Sequence, residues 1–336
     1  MRALVTGGLG FIGSHLVEAL VGWGWSVRVL DNKSRPGAVE NLRVLTSLLN
    51  KKKNDLWWYP GDVRDASDCR AATKDVDIIF HLAAQVAVTT SVQDPRADFE
   101  TNALGTLNVL EAVRACGGLK PPVLFASTNK VYGDVASRWG TSELAPIRFA
   151  SPYGCSKGAA DQYVQDYART YGLRTGVLRM SCIYGPRQYG CEDQGWLAWF
   201  AIAASLGRNI TIYGDGSQVR DVLHVRDCVD AWVKAGNYLL GAKAGTSLLL
   251  NVGGGPANAI TVLDGVRKIR EASGWDGAVE YGDWRRGDQH AYVSDVTRAE
   301  QLLGWKPRVP AADGIEELVQ WARDNRNVLE EVLHDR

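Results

Sequence analysis

Tyr153 and Lys157 stand four residues apart in the string Y-G-C-S-K. Residues at that spacing share one face of a helix. A lysine ammonium held under a phenol favours the phenolate and draws the tyrosine pKa from about 10 towards neutrality. A tyrosine tuned in this way exchanges a proton with a secondary alcohol, such as a sugar or steroid hydroxyl, while a nicotinamide takes the hydride. About 140 residues upstream the chain reads T-G-G-L-G-F-I-G, Thr6 to Gly13. Either motif alone is weak. Together they point to a dinucleotide-dependent oxidoreductase site.

The elements that must position these groups are legible as a pattern. Apolar runs at 3–6, 26–30, 56–59, 76–82 and 123–127 read as strands. Amphipathic stretches at 14–21, 66–73 and 99–116 read as helices between them. This alternation predicts an α/β fold, a Rossmann doubly wound parallel sheet with helices on both faces. Past residue 180, Pro186, Gly190, Gly195, Gly207, Gly214 and Gly216 cut the chain into short pieces. Strand-like runs at 210–213, 222–225 and 248–252 alternate there with helices near 229–240 and 262–273. The expectation is a dinucleotide-binding domain over 1–180 that carries the reactive tyrosine. A smaller C-terminal α/β substrate lobe follows over 181–336, with chain crossovers at a soft boundary. The charge run at 50–54 reads as a solvated loop.

Gly7, Gly10 and Gly13 follow the first strand and open a helix. Glycine permits the tight turn and the close approach of a pyrophosphate to the positive helix N-terminus. Asp31 ends the second strand about 20 residues on, where an acid hydrogen-bonds an adenosine ribose 2′-hydroxyl and repels a 2′-phosphate. NAD is therefore favoured over NADP, although Arg35 lies nearby. Asp62 and Val63 after the third strand suit an adenine. His81, Leu82, Ala83 and Ala84 end the fourth strand with small residues that let backbone approach a cofactor.

Composition sets bounds. The 336 residues hold 46% hydrophobic and 23% charged side chains, as in an ordinary globular chain. Lys and Arg total 38, as do Asp and Glu. This balance argues against a nucleic-acid or membrane partner. No apolar run reaches the roughly 18 residues of a membrane helix, and the opening residues read as a strand, so a cytoplasmic location is expected. Six scattered cysteines without a C-x-x-C pair predict free thiols and no metal site.

With these residues in place, the chain resembles the extended short-chain dehydrogenase/reductases, specifically the NAD-dependent nucleotide-sugar epimerases and dehydratases. The resemblance spans nearly the whole chain. It rests on the glycine motif, Asp31, Asp62-Val63, His81 to Ala84, Asn102, Ser127-Thr128, Tyr153-x-x-x-Lys157, Tyr184-Gly-Pro-Arg187 and Arg220-Asp-Val-Leu-His-Val225. It implies a catalytic set of Thr128, Tyr153 and Lys157, with Lys157 on the nicotinamide ribose. It adds Phe11, Ile12, Asn32, Gln85 and Asn102 to the cofactor contacts. Arg220 and Arg286 are implied for the nucleotide diphosphate, and Arg187 more weakly. A homodimer through the helical stretches 99–116 and 161–171 is also implied, although the spacing of Leu104, Leu107, Val109, Leu110 and Val113 fits packing within one chain equally well.

Two positions narrow the chemistry. The 4,6-dehydratases of this family carry Asp-Glu directly after the threonine, an acid and a base for expelling water. Here Asn129 and Lys130 stand there, which disfavours elimination. Lys130 suits a sugar oxygen, a phosphate or a structural salt bridge. Cys182 stands where many 4-epimerases carry a substrate-binding Asn. Longer strings, including S-T-N-K-V-Y-G-D from Ser127 and D-Q-G-W from Asp193, resemble the CDP-paratose (CDP-tyvelose) 2-epimerases. The 134–151 segment is shorter than in those enzymes, so a CDP-glucose/CDP-mannose 2-epimerase is a serious relative. Thr89, Asp193, Gln194 and Trp196 are further candidate substrate contacts, Trp196 being equally readable as core. A UDP-sugar 4-epimerase and a catalytically silent NAD-binding protein are the competing readings.

Overall fold

The computed structural model describes residues 1–49, 56–135, 140–285 and 287–334. The charge run at 50–54 lies outside the described residues, and so does Arg286.

The first half follows the predicted alternation. β1 (Arg2–Thr6) leads into α1 (Phe11–Gly22), β2 (Ser26–Asp31) into α2 (Ala38–Leu49), and β3 (Leu56–Pro60) into α3 (Ala66–Ala72). β4 (Ile78–His81) is followed by α4 (Val88–Gln93) and α5 (Pro95–Phe99). A π turn at Glu100–Leu104 joins α5 to α6 (Gly105–Arg114), so the stretch read as one helix is three pieces. β5 (Val123–Thr128) then passes through a 3₁₀ turn at Asn129–Tyr132.

The helix that carries Tyr153 and Lys157 is α7 (Pro152–Tyr171), followed by β6 (Thr175–Met180). Its limits are set locally. The Ser151 hydroxyl accepts the Gly154 N–H at 3.1 Å, and Pro152 occupies the first turn, where its missing N–H costs nothing. Gly172 ends it in the left-handed region at φ 68°.

Beyond β6 the chain leaves the sheet through β7 (Cys182–Tyr184), α8 (Trp196–Ser205), β8 (Ile210–Tyr213) and β9 (Val219–His224). It returns through α9 (Val225–Leu240) and β10 (Ser247–Val252). The large sheet runs β10-β6-β5-β4-β1-β2-β3 with every pairing parallel. This corrects the reading that put the 229–240 helix and the 248–252 strand in the smaller lobe. Leu248, Leu250 and Val252 are buried, as a strand covered on both faces requires. α9 lies on α1, and its Trp232 meets Phe80 of β4 edge-on. Helical periodicity reports which face is apolar but not which layer that face joins.

The remaining elements are β11 (Ala259–Thr261), α10 (Val262–Ser273), β12 (Val279–Gly282), β13 (Ala291–Tyr292), α11 (Thr297–Leu303), α12 (Ala311–Asp324) and α13 (Arg326–His334). β7, β9, β11 and β13 form one small sheet, and β8 pairs with β12. α8, α10 and α12 close over a separate apolar cluster that includes Phe200, Ile212, Ile269 and Leu318.

Strand order reverses between β1 and β4, so a crevice opens beyond their C-terminal ends. Open α/β sheets bind ligands at such a switch point. Nearby, a buried ion pair fastens α7 to the sheet. Arg179 of β6 meets the Asp161 carboxylate with two bonds, 2.9 Å from Nε and 3.0 Å from a terminal nitrogen, at 2% and 0% side-chain exposure. Ser127 of β5 donates to the same carboxylate at 2.7 Å. Removing one partner of such a pair strands the other charge. Asp161→Ala is therefore expected to lower unfolding stability by about 3–5 kcal/mol, read from the urea midpoint of the purified variant.

Candidate active site

The glycine loop is packed so tightly against its surroundings that side chains have no room. Gly7, at φ 68°, lies where an added Cβ would come 2.7 Å from the Ala83 nitrogen. A Cβ on Gly13 would sit 2.2 Å from the Gly7 carbonyl oxygen. Gly10 caps α1 with no side-chain bond, so the N–H groups of that first turn, Phe11 and Ile12 included, face the crevice without a side-chain cap. The Asp31 carboxylate accepts the Leu9 N–H at 3.0 Å and the Lys33 N–H at 2.7 Å. Burial raises its pKa against those bonds. Asn32 donates to Asp62 at 2.8 Å. Burial works to raise Asp62, but bonds from Arg64 and Asn32 outweigh it and hold that carboxyl at about 2. Val63 packs under Gly105.

Leu82 and Ala83 are pinned to β1 by N–H bonds to the Thr6 carbonyl and hydroxyl at 3.1 and 3.2 Å. Gln85 donates its N–H to Asn102 Oδ1 at 2.9 Å, and the Asn102 amide reaches back to the Gln85 carbonyl at 3.0 Å. The same amide reaches Asp98 and Ser156, each at 3.1 Å. Asn102, expected as a cofactor contact, is thus buried within the π turn and clamps the loop after β4 to α7. The sequence shows Asn102 but not Asp98 and Ser156, because their convergence depends on the phase change at that turn.

Thr128 and Tyr153 line one cavity, and Lys157 lies one turn further along α7 from Tyr153. Thr128 ends β5 and caps the 3₁₀ turn by accepting the Lys130 N–H at 3.2 Å, and its side chain shares the cavity wall with the Tyr153 phenol. The electrostatics differ from expectation. Burial pushes the Tyr153 phenol up to about 12, the Thr128 side chain opposing it. Burial brings the Lys157 ammonium down to about 7, with Asp98 and then Asp161 acting against that fall. The four-residue spacing predicts a lysine that lowers the phenol. In the structure the ammonium sits 4.2 Å from the centre of the Phe125 ring, and desolvation governs both groups.

Tyr153 and Thr128 open onto a cavity of about 300 Å³. Thr89, Asn129, Lys130, Asp193, Gln194, Trp196 and Arg220 all line it, as does Cys182. The Thr89 hydroxyl and the Trp196 indole N–H are buried and unpartnered there, polar groups that a ligand would satisfy. Lys130 and Arg220 share the Asp288 carboxylate at 3.2 and 2.8 Å, so Lys130 is both cavity wall and salt bridge. Burial works to raise Asp288, and the two cations hold it below the ordinary carboxylate range. Arg187 lies elsewhere, paired to Glu18 at 2.6 Å and to His15.

Sequence reasoning missed Arg285, Tyr213 and Asp288. Arg285 stacks 3.8 Å over Tyr213 and pairs with Asp193 at 3.4 Å in the cavity wall. The W-R-R-G-D string signalled an arginine there through Arg286, which lies outside the described residues; Arg285 is the one the structure describes in the wall. Arg35 also reaches Gln194, so the loop after β2 touches the cavity wall.

The model of the NAD dependent epimerase/dehydratase family matches residues 3–252. The chain belongs to this family. It is 39% identical to the CDP-paratose 2-epimerase of Salmonella typhi, over 96% of this chain and 99% of that one. It is 38% identical to the UDP-glucose 4-epimerase of Mycolicibacterium smegmatis, over 96% and 99%. The UDP-glucose 4-epimerase of Thermus thermophilus, solved with NAD, superposes with a TM-score of 0.83 at 35% identity, covering 96% of this chain and 99% of that one. The protein is an enzyme of the epimerase/dehydratase kind, and its cofactor is NAD. The glycine cradle fits that cofactor, since its backbone is laid bare where a pyrophosphate must approach. Gly13→Ala is expected to weaken NAD binding by about tenfold or more, about 1.4 kcal/mol, measured as NAD released on denaturing the purified protein.

Proposed function

We propose that this protein is an NAD-dependent CDP-sugar 2-epimerase, acting on a CDP-paratose/CDP-tyvelose or CDP-glucose/CDP-mannose pair through a transient 2-keto sugar. The observation that carries the reading is Asn129-Lys130 beside Thr128 and Tyr153 in the cavity wall. Elimination of water needs an acid and a base next to the threonine, and neither position there holds a carboxylate. The 39% likeness to a CDP-paratose 2-epimerase supports cytosine as the base and C2 as the reacting centre.

In this reading the Thr128 hydroxyl holds the reacting oxygen and Tyr153 takes the C2 hydroxyl proton, then returns it after the ketone has turned its other face. Bound NAD supplies a hydride acceptor and donor and, when oxidised, a ring charge that favours the phenolate. An unactivated carbinol C–H is not acidic enough for direct deprotonation, so the ketone stage is required. Lys157 is assigned to the nicotinamide ribose. Gly7, Gly10, Gly13, Phe11 and Ile12 are assigned to the pyrophosphate, Asp31 and Asn32 to the adenosine ribose, and Asp62 and Val63 to the adenine. Leu82, Ala83, Ala84 and Gln85 line the nicotinamide end, with Asn102 behind them.

Arg220 and Lys130 suit the substrate diphosphate, Arg220 through its planar fork. Thr89, Asn129, Asp193, Gln194 and Trp196 are assigned to the rest of the CDP-sugar. The working form in this reading is a cytoplasmic homodimer. Val109, Leu110 and Val113 are buried within the chain, which leaves exposed Phe99, Leu104, Tyr163 and Tyr171 for the partner subunit. No helix among the described residues is long and apolar enough to cross a membrane.

A second reading, UDP-sugar 4-epimerase, is favoured by the 38% identical relative from Mycolicibacterium smegmatis. Proton NMR separates the two. A new manno-configured anomeric signal from CDP-glucose, or conversion of CDP-paratose, is expected. A galacto-configured signal from UDP-glucose with CDP-sugars untouched would establish the second reading. Tyr153→Phe is expected to lower turnover by about 10²–10⁴-fold with the fold intact by circular dichroism. Wild-type turnover in that variant would remove Tyr153 from the acid/base role.

A further inference from the structure

Lys157 is 1% exposed, and a buried ammonium keeps its proton only if a negative charge stands nearby. Asp161 lies one turn along α7 itself, but both its oxygens are held by Arg179 from β6. His81 at the end of β4 is fully buried and kept neutral, by burial first and then by the charge of Lys157, with a pKa of about 3. Glu100 of the π turn pairs with Arg96 of α5 at 3.2 Å. Glu111 of α6 is taken by Arg114 and Tyr167. Lys130 of the 3₁₀ turn is turned to Asp288. α4, β5 and β10 carry no charged side chain. Among the described residues one carboxylate is left, Asp98 of α5.

Asp98 is 1% exposed although it belongs to a five-residue helix near the surface. One of its oxygens accepts the Ser156 hydroxyl at 2.5 Å, and the other accepts the Asn102 amide at 3.1 Å. Ser156 immediately precedes Lys157. The carboxylate is therefore fixed against the stretch of α7 that carries the reactive pair, by two bonds and without a cation in contact. A buried acid of this kind would shed its charge unless a cation balanced it at longer range.

We propose that Asp98 is a positioning residue that keeps Lys157 charged, its carboxylate oriented by Ser156 and Asn102 to offset an ammonium that Asp161, committed to Arg179, does not fully balance. The inference rests on the reading that Lys157 works in its protonated form. The shifts agree with the geometry: Asp98 is the foremost charge opposing the fall of Lys157, and it also raises the phenol of Tyr153, on which Arg35 acts in the opposite sense. Removing the Asp98 charge therefore lowers both groups together.

The test uses the holoenzyme as purified, labelled with ¹³Cε-lysine, with the Lys157 signal assigned from Lys157→Met. Asp98→Asn is expected to move the Lys157 titration down by about one pH unit or more. Both limbs of the pH profile of kcat/KM should move to lower pH with it, measured with whichever sugar nucleotide the enzyme turns over. Activity near pH 8 falls about tenfold, and Asp98→Glu restores both readouts. An unmoved Lys157 titration overturns the proposal, as does a moved titration with an unmoved profile, or a loss equal at every pH. If Asp98→Asn does not fold, Asp98→Ser carries the same comparison. The titration needs no turnover, so it decides the pairing even if Tyr153→Phe removes the catalytic reading.

Discussion

The Asp161 carboxylate is the constraint from which the catalytic end is hung. It binds Arg179 on β6, Ser127 on β5 and sits on α7, so one buried group fixes two strands and the helix. Thr128 is the next residue of β5, and Tyr153 lies two turns back along α7. Their approach to one cavity is therefore a consequence of where the ion pair holds the helix. A buried pair of this kind adds little net stability compared with apolar packing, but its geometry is unforgiving. That suits the proposed reaction, in which hydroxyl and phenol meet the same substrate oxygen.

The parts of the site set by local spacing are legible in the sequence. Gly7, Gly10 and Gly13 must precede a helix, Asp31 must end a strand, and Thr128 must end another, whatever surrounds them. Parts set by tertiary phase are not. Asp98 reads as an ordinary surface acid in a short helix, and only the π turn brings it to Asn102 and Ser156. β10 looks like any short apolar run, and its return to the large sheet depends on contacts with β6 about 70 residues earlier in the chain. The pKa order of Tyr153 and Lys157 escapes the sequence for a related reason. Spacing gives their proximity, but burial, which the sequence does not reveal, is the larger influence on both.

The cavity repeats this economy of charge. Lys130 and Arg220 come from different parts of the chain, one from the turn after β5 and one from β9, yet they share Asp288. Two cations on one carboxylate leave a net positive charge at the inner wall. Arg285, stacked on Tyr213 and paired with Asp193, adds another cation on the lobe side. An anionic ligand entering here meets cations already oriented by their partners, so less side-chain freedom is lost on binding.

Arg35 gives the two halves of the crevice a mechanical link. It stands in the loop that follows Asp31 and Asn32, yet its guanidinium grips Gln194 in the wall of the cavity, while Gly37 a little further on lies against Tyr189. The two walls therefore do not behave as independent modules. Re-engineering this loop to change dinucleotide preference, for example by recruiting Arg35 to a phosphate, releases Gln194 and reshapes the opposite pocket. Under the proposed function, cofactor choice and sugar choice become coupled traits in this chain, and a variant library that treats them separately would misattribute its losses.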